Sequence, residues 1–567
     1  MMQPVWEVAV GDNHRAETIQ HNLGVTRPTA LALAGLPMAL EDLDDFLRPT
    51  LRHLADPYHL DGTRVAAERL WDAIRRQEHI LIHGDYDTDG ITAATLLAGV
   101  LKENNAQAEC FLPHRIDDGY RLTPESIEKA CREHHSLLVT VDCGITSCEA
   151  VAAAREAGID VIVTDHHQPG AERPDAHAVV DPKLEGTDPE LQDLAGVGVA
   201  FKICHAFLKY GREQNIGGFE TDLREFLDLV ALGTVADIVP LLRENRRLVK
   251  HGLRVLSRQH RPGIRALCEI VRIDDAVRAP DIAFRIAPRL NAAGRMGDPA
   301  DTMDLLCATS MAHAKPLAAA LDRQNRRRQS LEEDTLRAAT AQIEAVYDLK
   351  RDRTLVVWGE EWHPGVVGIV ASRLARSYHR PAVVLTRENT GDFCGSSRSV
   401  RPIDLTRALE LCSDCLTRFG GHPMAAGLSL PPEKLACFRK RFEEAVRDTL
   451  GDRAVSPRIE VLGEVAFGEI TDRFFEELEV LEPFGHGNPE PVYTLRNVQP
   501  DRVLPAGRSH ARGVLRDPAG GRMTFIAFGK KPDALPSPPW NIAYTPHINR
   551  YRGRETPQAR IVEVETT

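Results

Sequence analysis

Between positions 79 and 182 the chain alternates short apolar runs with longer stretches whose apolar residues recur at helical spacing. The runs at 79–82, 108–112, 137–141, 161–164 and 178–180 read as buried strands. The stretches at 62–77, from 90 through 101, at 124–134 and at 147–156 read as helices. Thr123 caps the third, Pro124 opens its first turn, and Gly158 closes the fourth. Strand–helix alternation of this kind predicts right-handed crossovers and a parallel sheet, with a ligand crevice at the carboxyl ends of the strands. A helix over 316–349 carries Arg323, Arg326, Arg327, Arg328, Glu332 and Glu333, and is expected to connect domains with its charges mostly on a solvated face. A second α/β unit follows, with strands at 355–358 and 382–385 and a helix over 402–418. From about 459 short alternating strands (492–496, 524–528, 542–549, 560–564) interleave Arg508, His510, Arg512, Arg516, Arg522, Lys530 and Lys531 with Phe525, Phe528, Trp540, Tyr544 and Tyr551. That pattern fits an OB-like barrel that stacks bases, or a plain barrel with an aromatic core. At the other end, Leu40, Leu43, Phe46 and Leu47 have helical spacing and suggest an N-terminal extension without chemistry.

The expected fold class is therefore multidomain α/β. A helical extension (1–54) precedes a parallel-sheet domain (55–275), connecting helices (276–350), a smaller α/β domain (351–452) and an OB-like β-barrel (453–567). The length of 567 residues agrees, being too great for one core. The start lacks a signal-peptide pattern, and no apolar run approaches the roughly 18 residues of a membrane span. Eleven cysteines at irregular spacing suggest reduced thiols and a cytoplasmic location, and the one CxxC pair, Cys412 and Cys415, reads as structural. A formal charge of −12 argues against a protein that coats nucleic acid, though not against a nuclease whose acidic site is neutralised by metal.

The expected strand ends carry the chemistry. The first gives His83-Gly-Asp85-Tyr-Asp87-Thr-Asp89-Gly90, the third Asp142, and the fourth Asp165-His166-His167; Asp237 closes an apolar helical run. Asp85, Asp87, Asp89 and Gly90 fit the start of an EF-hand loop, but Leu96 stands where that loop needs its bidentate Glu. A polar turn with capping carboxylates is the plainer alternative. Collected, His83, Asp87, Asp89, Asp142, His166 and Asp237, with Asp85 and His167 close by, exceed what one six-coordinate ion uses. They suit two divalent cations bridged by Asp142; mixed carboxylate and imidazole ligation favours Mn²⁺ and admits Mg²⁺. Two-metal sites cleave phosphate esters by activating water, so no protein nucleophile is needed. Asp165 is expected to orient an imidazole, His167 to touch the phosphate or the leaving oxygen, and Asp228 to be a solvent or capping residue. Arginines beside small residues (Arg285, Arg289, Arg295) and glycine-rich turns holding His363, Ser396, Arg398, Gly421 and His422 suit phosphate contact, or simply solvated turns.

His83-Gly-Asp-Tyr-Asp-Thr-Asp-Gly, Val141-Asp-Cys-Gly, Thr164-Asp-His-His and Gly233-Thr-Val-Ala-Asp237 together resemble the motifs of the DHH phosphoesterase family. Leu194-Ala-Gly-Val-Gly-Val-Ala200, Ala287-Pro-Arg-Leu-Asn-Ala-Ala-Gly-Arg295 and Gly420-Gly-His-Pro-Met-Ala-Ala-Gly427 narrow the resemblance to its single-stranded-DNA exonucleases, over roughly residues 55–567. The resemblance implies a DHH domain and a DHHA1 domain joined by a long helix, then an OB-type domain. It implies 5′-to-3′ degradation of single strands to mononucleotides through a channel too narrow for duplex, in recombination and in mismatch and base-excision repair. The catalytic residues would be Asp85, Asp87, Asp142 and His167. A 5′-phosphate pocket would use Arg115, Ser396 and Arg398, with Arg289, Arg295, Gly421 and His422 as further DNA contacts. Expected partners are single-strand-binding protein and a RecQ-type helicase, with no membrane. Two rivals remain: smaller relatives that act on pyrophosphate, cyclic dinucleotides or very short RNA, and a scaffold that has lost its ligands.

Overall fold

The computed structural model describes residues 4–8, 13–113, 122–388, 391–451, 456–551 and 554–566. The first strand, β1 (Val5–Val8), belongs to a sheet completed much later in the chain. Next come β2 (His79–Gly84), β3 (Gln107–Phe111), β4 (Leu137–Val141), β5 (Asp160–Thr164) and β6 (Ala178–Val180), all parallel in the order β3-β2-β4-β5-β6. Alternation along these strands feeds two cores. Ile80, Ile82, Leu137, Val139, Val141 and Ile162 face the Thr88–Glu103, Gly196–Glu213 and Leu227–Ala236 helices. Leu81, Leu138, Val161 and Val163 face Pro124–Arg132 and Cys148–Glu156. Burial on both faces explains why β4 reads as an unbroken apolar run and puts its end, Asp142, at the middle of the sheet edge.

The smaller domain has β7 (Leu355–Gly359), β8 (Ala382–Arg387), β9 (Phe393–Arg398), β10 (Arg418–His422) and β11 (Ala425–Leu430) in the order β10-β11-β9-β8-β7, with only β7 and β8 parallel. The Met311–Val346 helix links the domains; its 36 residues span about 54 Å. Its charges are not all on a solvated face. Glu332 is buried between Arg328 (2.8 Å) and Arg373 of the smaller domain (2.9 Å), and buried Asp322 accepts from Arg289 at 2.9 Å. The helix is packed from both sides, so its inner charges must be paired.

The last strands are β12 (Arg458–Val461), parallel to β1, and β13 (Tyr493–Ala506), β14 (His510–Arg516), β15 (Arg522–Ala527), β16 (Trp540–Tyr551) and β17 (Arg554–Thr566), which close a barrel in the order β13-β14-β15-β17-β16. Strand β14 was absent from the sequence expectation because its basic residues mask the inward alternation of Ala511 and Leu515. Phe525, Trp540 and Tyr544 lie in the barrel core, which favours the aromatic-core alternative over base stacking for these three; Phe528 is exposed, and the Tyr551 side chain lies outside what the structure describes. The N-terminal helices Asn13–Leu23, Arg27–Ala34 and Leu43–Leu47 share this apolar core. Buried Arg246 ties the assembly to the large domain. Its guanidinium lies 3.7 Å from the Phe46 ring centroid and donates to the carbonyls of Phe46 (2.7 Å), Val480 (3.0 Å) and Glu482 (3.2 Å). Among the described residues no helix is long and apolar enough to cross a membrane.

Candidate active site

Four segments meet at the carboxyl edge of the parallel sheet. Asp87 caps the Thr88–Glu103 helix, its Oδ1 accepting from the amides of Asp89 (2.9 Å) and Gly90 (3.2 Å). Asp89 is held from the opposite side, where the amides of Gly196 and Val197, at the start of another helix, donate to its two oxygens at 2.7 and 2.9 Å. These donors favour the carboxylate and fix its orientation. Thr88 is locked in turn, its amide and hydroxyl both donating to Asn291 Oδ1 at 2.7 Å. Asp142 turns the chain after β4 with φ of 63°, a left-handed conformation that Asp tolerates better than most residues. A Cβ at Gly196 would sit 2.6 Å from the Asp142 Cβ, so glycine permits this approach.

Donor atoms of Asp85, Asp87 and Asp142 lie within 4.8 Å of one another; so do those of Asp89, His166 and Asp237, and those of Asp142, His166 and His167. Nε2 of His166 is 3.1 Å from Asp142 Oδ1, 3.6 Å from Asp237 Oδ2 and 4.0 Å from Asp89 Oδ2. Asp142 Oδ1 is buried with no hydrogen-bond partner among the described residues. At the end of β2, Nδ1 of His83 is 2.9 Å from Ser126 Oγ, and its buried Nε2 falls in none of these three groups.

Burial raises the Asp89 carboxyl to about 7 with help from Asp87, and raises Asp237 to about 8 with help from Asp89 and Asp87. Asp142 is pushed well above its ordinary value by burial, then by Asp89, Asp87, Asp85 and Asp237. Burial and the neighbouring His167 charge depress His166 to about 3, leaving a neutral imidazole. For His167 burial acts downward, but the bond to Asp165 (Nδ1 to Oδ1, 2.7 Å) and its charge win and raise it to about 9. Carboxylates that repel one another in a buried pocket, beside a neutral imidazole, are the donor set of a divalent-cation site. The residues present fit such ions.

The N-terminal domain of the DHH family matches residues 79–234, the DHHA1 domain 351–448 and the RecJ OB domain 463–563. The single-stranded-DNA-specific exonuclease RecJ of Bacillus subtilis (strain 168) is 35% identical over 98% of this chain and 70% of its own length. That of Escherichia coli (strain K12) is 37% identical over 88% and 89%. The chain belongs to the RecJ family. A crystal structure of RecJ from Thermus thermophilus in complex with Mn²⁺ superposes with a TM-score of 0.84 at 32% identity, covering 99% of this chain and 80% of that one. A crystal structure of RecJ from the same organism in complex with Mg²⁺ gives 0.78 at 30%, covering 99% and 78%.

In this RecJ-family chain Ser396, Arg398, Gly421 and His422 share one corner, while Arg289 stands apart. Arg398 Nη1 donates to Ser396 Oγ at 2.6 Å, and cross-strand register puts Arg398 and His422 on either side of Ala425, with Gly421 next to His422. This corner connects to the Asp85–Asp89 loop through a relay of close approaches. A Cβ at Gly294 would meet the Tyr86 carbonyl at 2.7 Å, one at Gly365 the Arg295 carbonyl at 2.5 Å, and one at Gly368 Ser396 Oγ at 3.2 Å. Arg289 points elsewhere, to Asp322 and the Arg285 carbonyl, so in this structure it serves the domain linkage. Arg115 lies outside the described residues. Asp228 is not solvated: it is buried, paired with Arg261 at 2.7 Å, and its Oδ1 accepts from the Leu229 amide at 2.8 Å in the first turn of its helix. Sequence reasoning assigned no role to Ser126, to the Gly196 and Val197 amides, to Asn291, or to Asp181, whose Oδ2 is buried without a hydrogen-bond partner among the described residues, beside Asp165 and His167, and whose carboxyl burial raises to about 7. Asp181 at the end of β6 obeys the strand-end rule and was the findable one.

Proposed function

We propose that the chain is a metal-dependent exonuclease that degrades single-stranded DNA from its 5′ end to mononucleotides, in recombination and in mismatch and base-excision repair. The observation that carries this reading is the convergence of Asp85, Asp87, Asp89, Asp142, His166 and Asp237 at one sheet edge, in a chain of the RecJ family. His83, Asp87, Asp89, Asp142, His166 and Asp237 would hold two divalent cations, with Asp142 shared because its donors belong to groups on both sides. Bound there, the cations lower the pKa of water and stabilise negative charge on phosphate oxygens.

The chain's own groups do the rest. The Gly196 and Val197 amides aim Asp89 and favour its carboxylate, and Asp165 holds His167 as an imidazolium whose Nε2 can donate to a phosphate oxygen or the leaving oxygen. Ser396 and Arg398, with Gly421 and His422 beside them, supply donors for a terminal 5′ phosphate. Arg295, at the join between the domains, borders the path between the two sites. Exposed Arg508, Arg512 and Lys531, with Phe528, give the barrel a face for the trailing strand. Single-strand-binding protein and a RecQ-type helicase, in the cytoplasm, would supply such strands.

The test uses single strands and duplexes labelled at either end, with Mn²⁺ or Mg²⁺. Mononucleotide released first from a 5′ label, only on single strands, and lost in Asp142→Asn, is the expected result. Release from the 3′ label first, or equal action on duplex, would overturn the reading.

A further inference from the structure

Among the described residues the two most exposed large apolar side chains are Phe284 (79%) and Ile238 (69%), and both sit on elements that build the active site. Ile238 follows Asp237 directly and takes a φ of 62°, costly for a β-branched residue and of a kind that gathers at functional sites. Phe284 lies in a π-helical turn, Ile282–Ile286, that runs into the Ala287–Met296 helix; such wide turns recur at binding sites. Ile282, Ile286 and Leu290 bury one side of this continuous segment in the core. Phe284, Pro288, Asn291 and Arg295 recur at helical spacing on its open side. Asn291 grips Thr88 of the metal loop, and Arg295 meets the smaller domain at Gly365. The open side therefore runs along the active-site cleft, and the Leu227–Ala236 helix leading to Asp237 packs on the same π turn. Phe284 stands seven residues from Asn291, about 10 Å along the helix, or roughly three stacked nucleotides.

The geometry points to Phe284 as a stacking platform for a nucleobase of the substrate strand a short distance from the cleaved phosphodiester. This rests on the single-strand exonuclease reading above. A solvent-facing phenyl contributes nothing to the core, whereas every base offers it a face irrespective of sequence. Ile238 would widen the same apolar rim next to a metal ligand, and the strain in its backbone is then part of presenting that rim.

The experiment scans one abasic position along a 5′-phosphorylated strand and measures KM and kcat with Mn²⁺ for the wild type, Phe284→Ala and Phe284→Trp. In the wild type, one or two adjacent abasic positions should raise KM roughly 5- to 150-fold, the loss of one stacked base. Phe284→Ala should raise KM on the intact strand by a similar factor and flatten the positional profile, with kcat nearly unchanged; Phe284→Trp should restore both. The side chain is exposed, so Phe284→Ala should leave the circular dichroism and melting temperature unaltered. A positional profile identical in wild type and Phe284→Ala, or a loss confined to kcat, overturns the assignment while the exonuclease reading stands. A wild type that does not degrade single strands overturns both.

Discussion

Gly196→Ala isolates the positioning of Asp142 from its chemistry. The added Cβ would lie 2.6 Å from the Asp142 Cβ, about 0.8 Å short of ordinary contact at 3.4 Å, and closer still to its Oδ1. Neither partner is a flexible chain end. Asp142 follows a central strand in a left-handed turn, and Gly196 opens a helix whose amides hold Asp89. Relief must move one carboxylate or both by roughly that amount. Overpacking costs about 1–3 kcal/mol, offset by up to about 1 kcal/mol from the better helix propensity of alanine. The fold should survive with a modest drop in melting temperature. A displacement of about 1 Å at reacting groups costs on the order of 10²-fold in rate. The assay is kcat/KM for nucleotide release from a labelled strand, beside circular dichroism and a Mn²⁺ titration. Gly198→Ala is the control: close by on the same helix, its Cβ would come nearest to the movable Cδ2 of Leu194, at 3.0 Å. Gly196→Ala within about threefold of wild type, or an equal loss in both variants, would refute the reasoning.

Asp237→Asn should stabilise the protein in chelator, and by more at pH 8 than at pH 6. The folded carboxyl is raised to about 8, so the native state binds the proton more tightly than the unfolded chain and loses that advantage as pH climbs toward 8. Melts at the two pH values check this, and an equal shift at both would contradict it. Arg398→Ala should lower the preference for 5′-phosphorylated over 5′-hydroxyl strands at least tenfold, read from paired substrates; an unchanged preference removes Arg398 from the pocket. Arg246→Ala orphans three carbonyls at about 1–3 kcal/mol each, and should expose the segment around Phe46 to limited proteolysis before the parallel-sheet domain unfolds; a wild-type digestion pattern would count against it.

The parallel sheet and its liganding edge were legible because one physical rule serves both. A doubly buried strand must be apolar until it ends, and polar groups bunched at that end need a purpose. The barrel was less legible. Strand β14 hides its inward residues among arginines, and a buried Trp540 looks in sequence like an exposed one. Charges on the linking helix read as solvated because nothing in the chain says a second domain will cover Glu332. The amides that hold Asp89 were illegible for a different reason: a backbone N–H has no residue type, and only the glycine that lets Asp142 approach leaves a trace.

The pairing of β1 with β12, and the helices at 13–47 buried against a barrel that ends near residue 566, have a consequence for biosynthesis. The helices at 13–47 cannot bury their apolar side until the barrel strands, far later in the chain, have emerged. Through synthesis of the intervening residues, Ile19, Leu33 and Phe46 have no native cover from the barrel, while the parallel-sheet domain can already collapse behind them. Chaperone occupancy on nascent chains should therefore persist at the helices of 13–47 until the barrel has emerged.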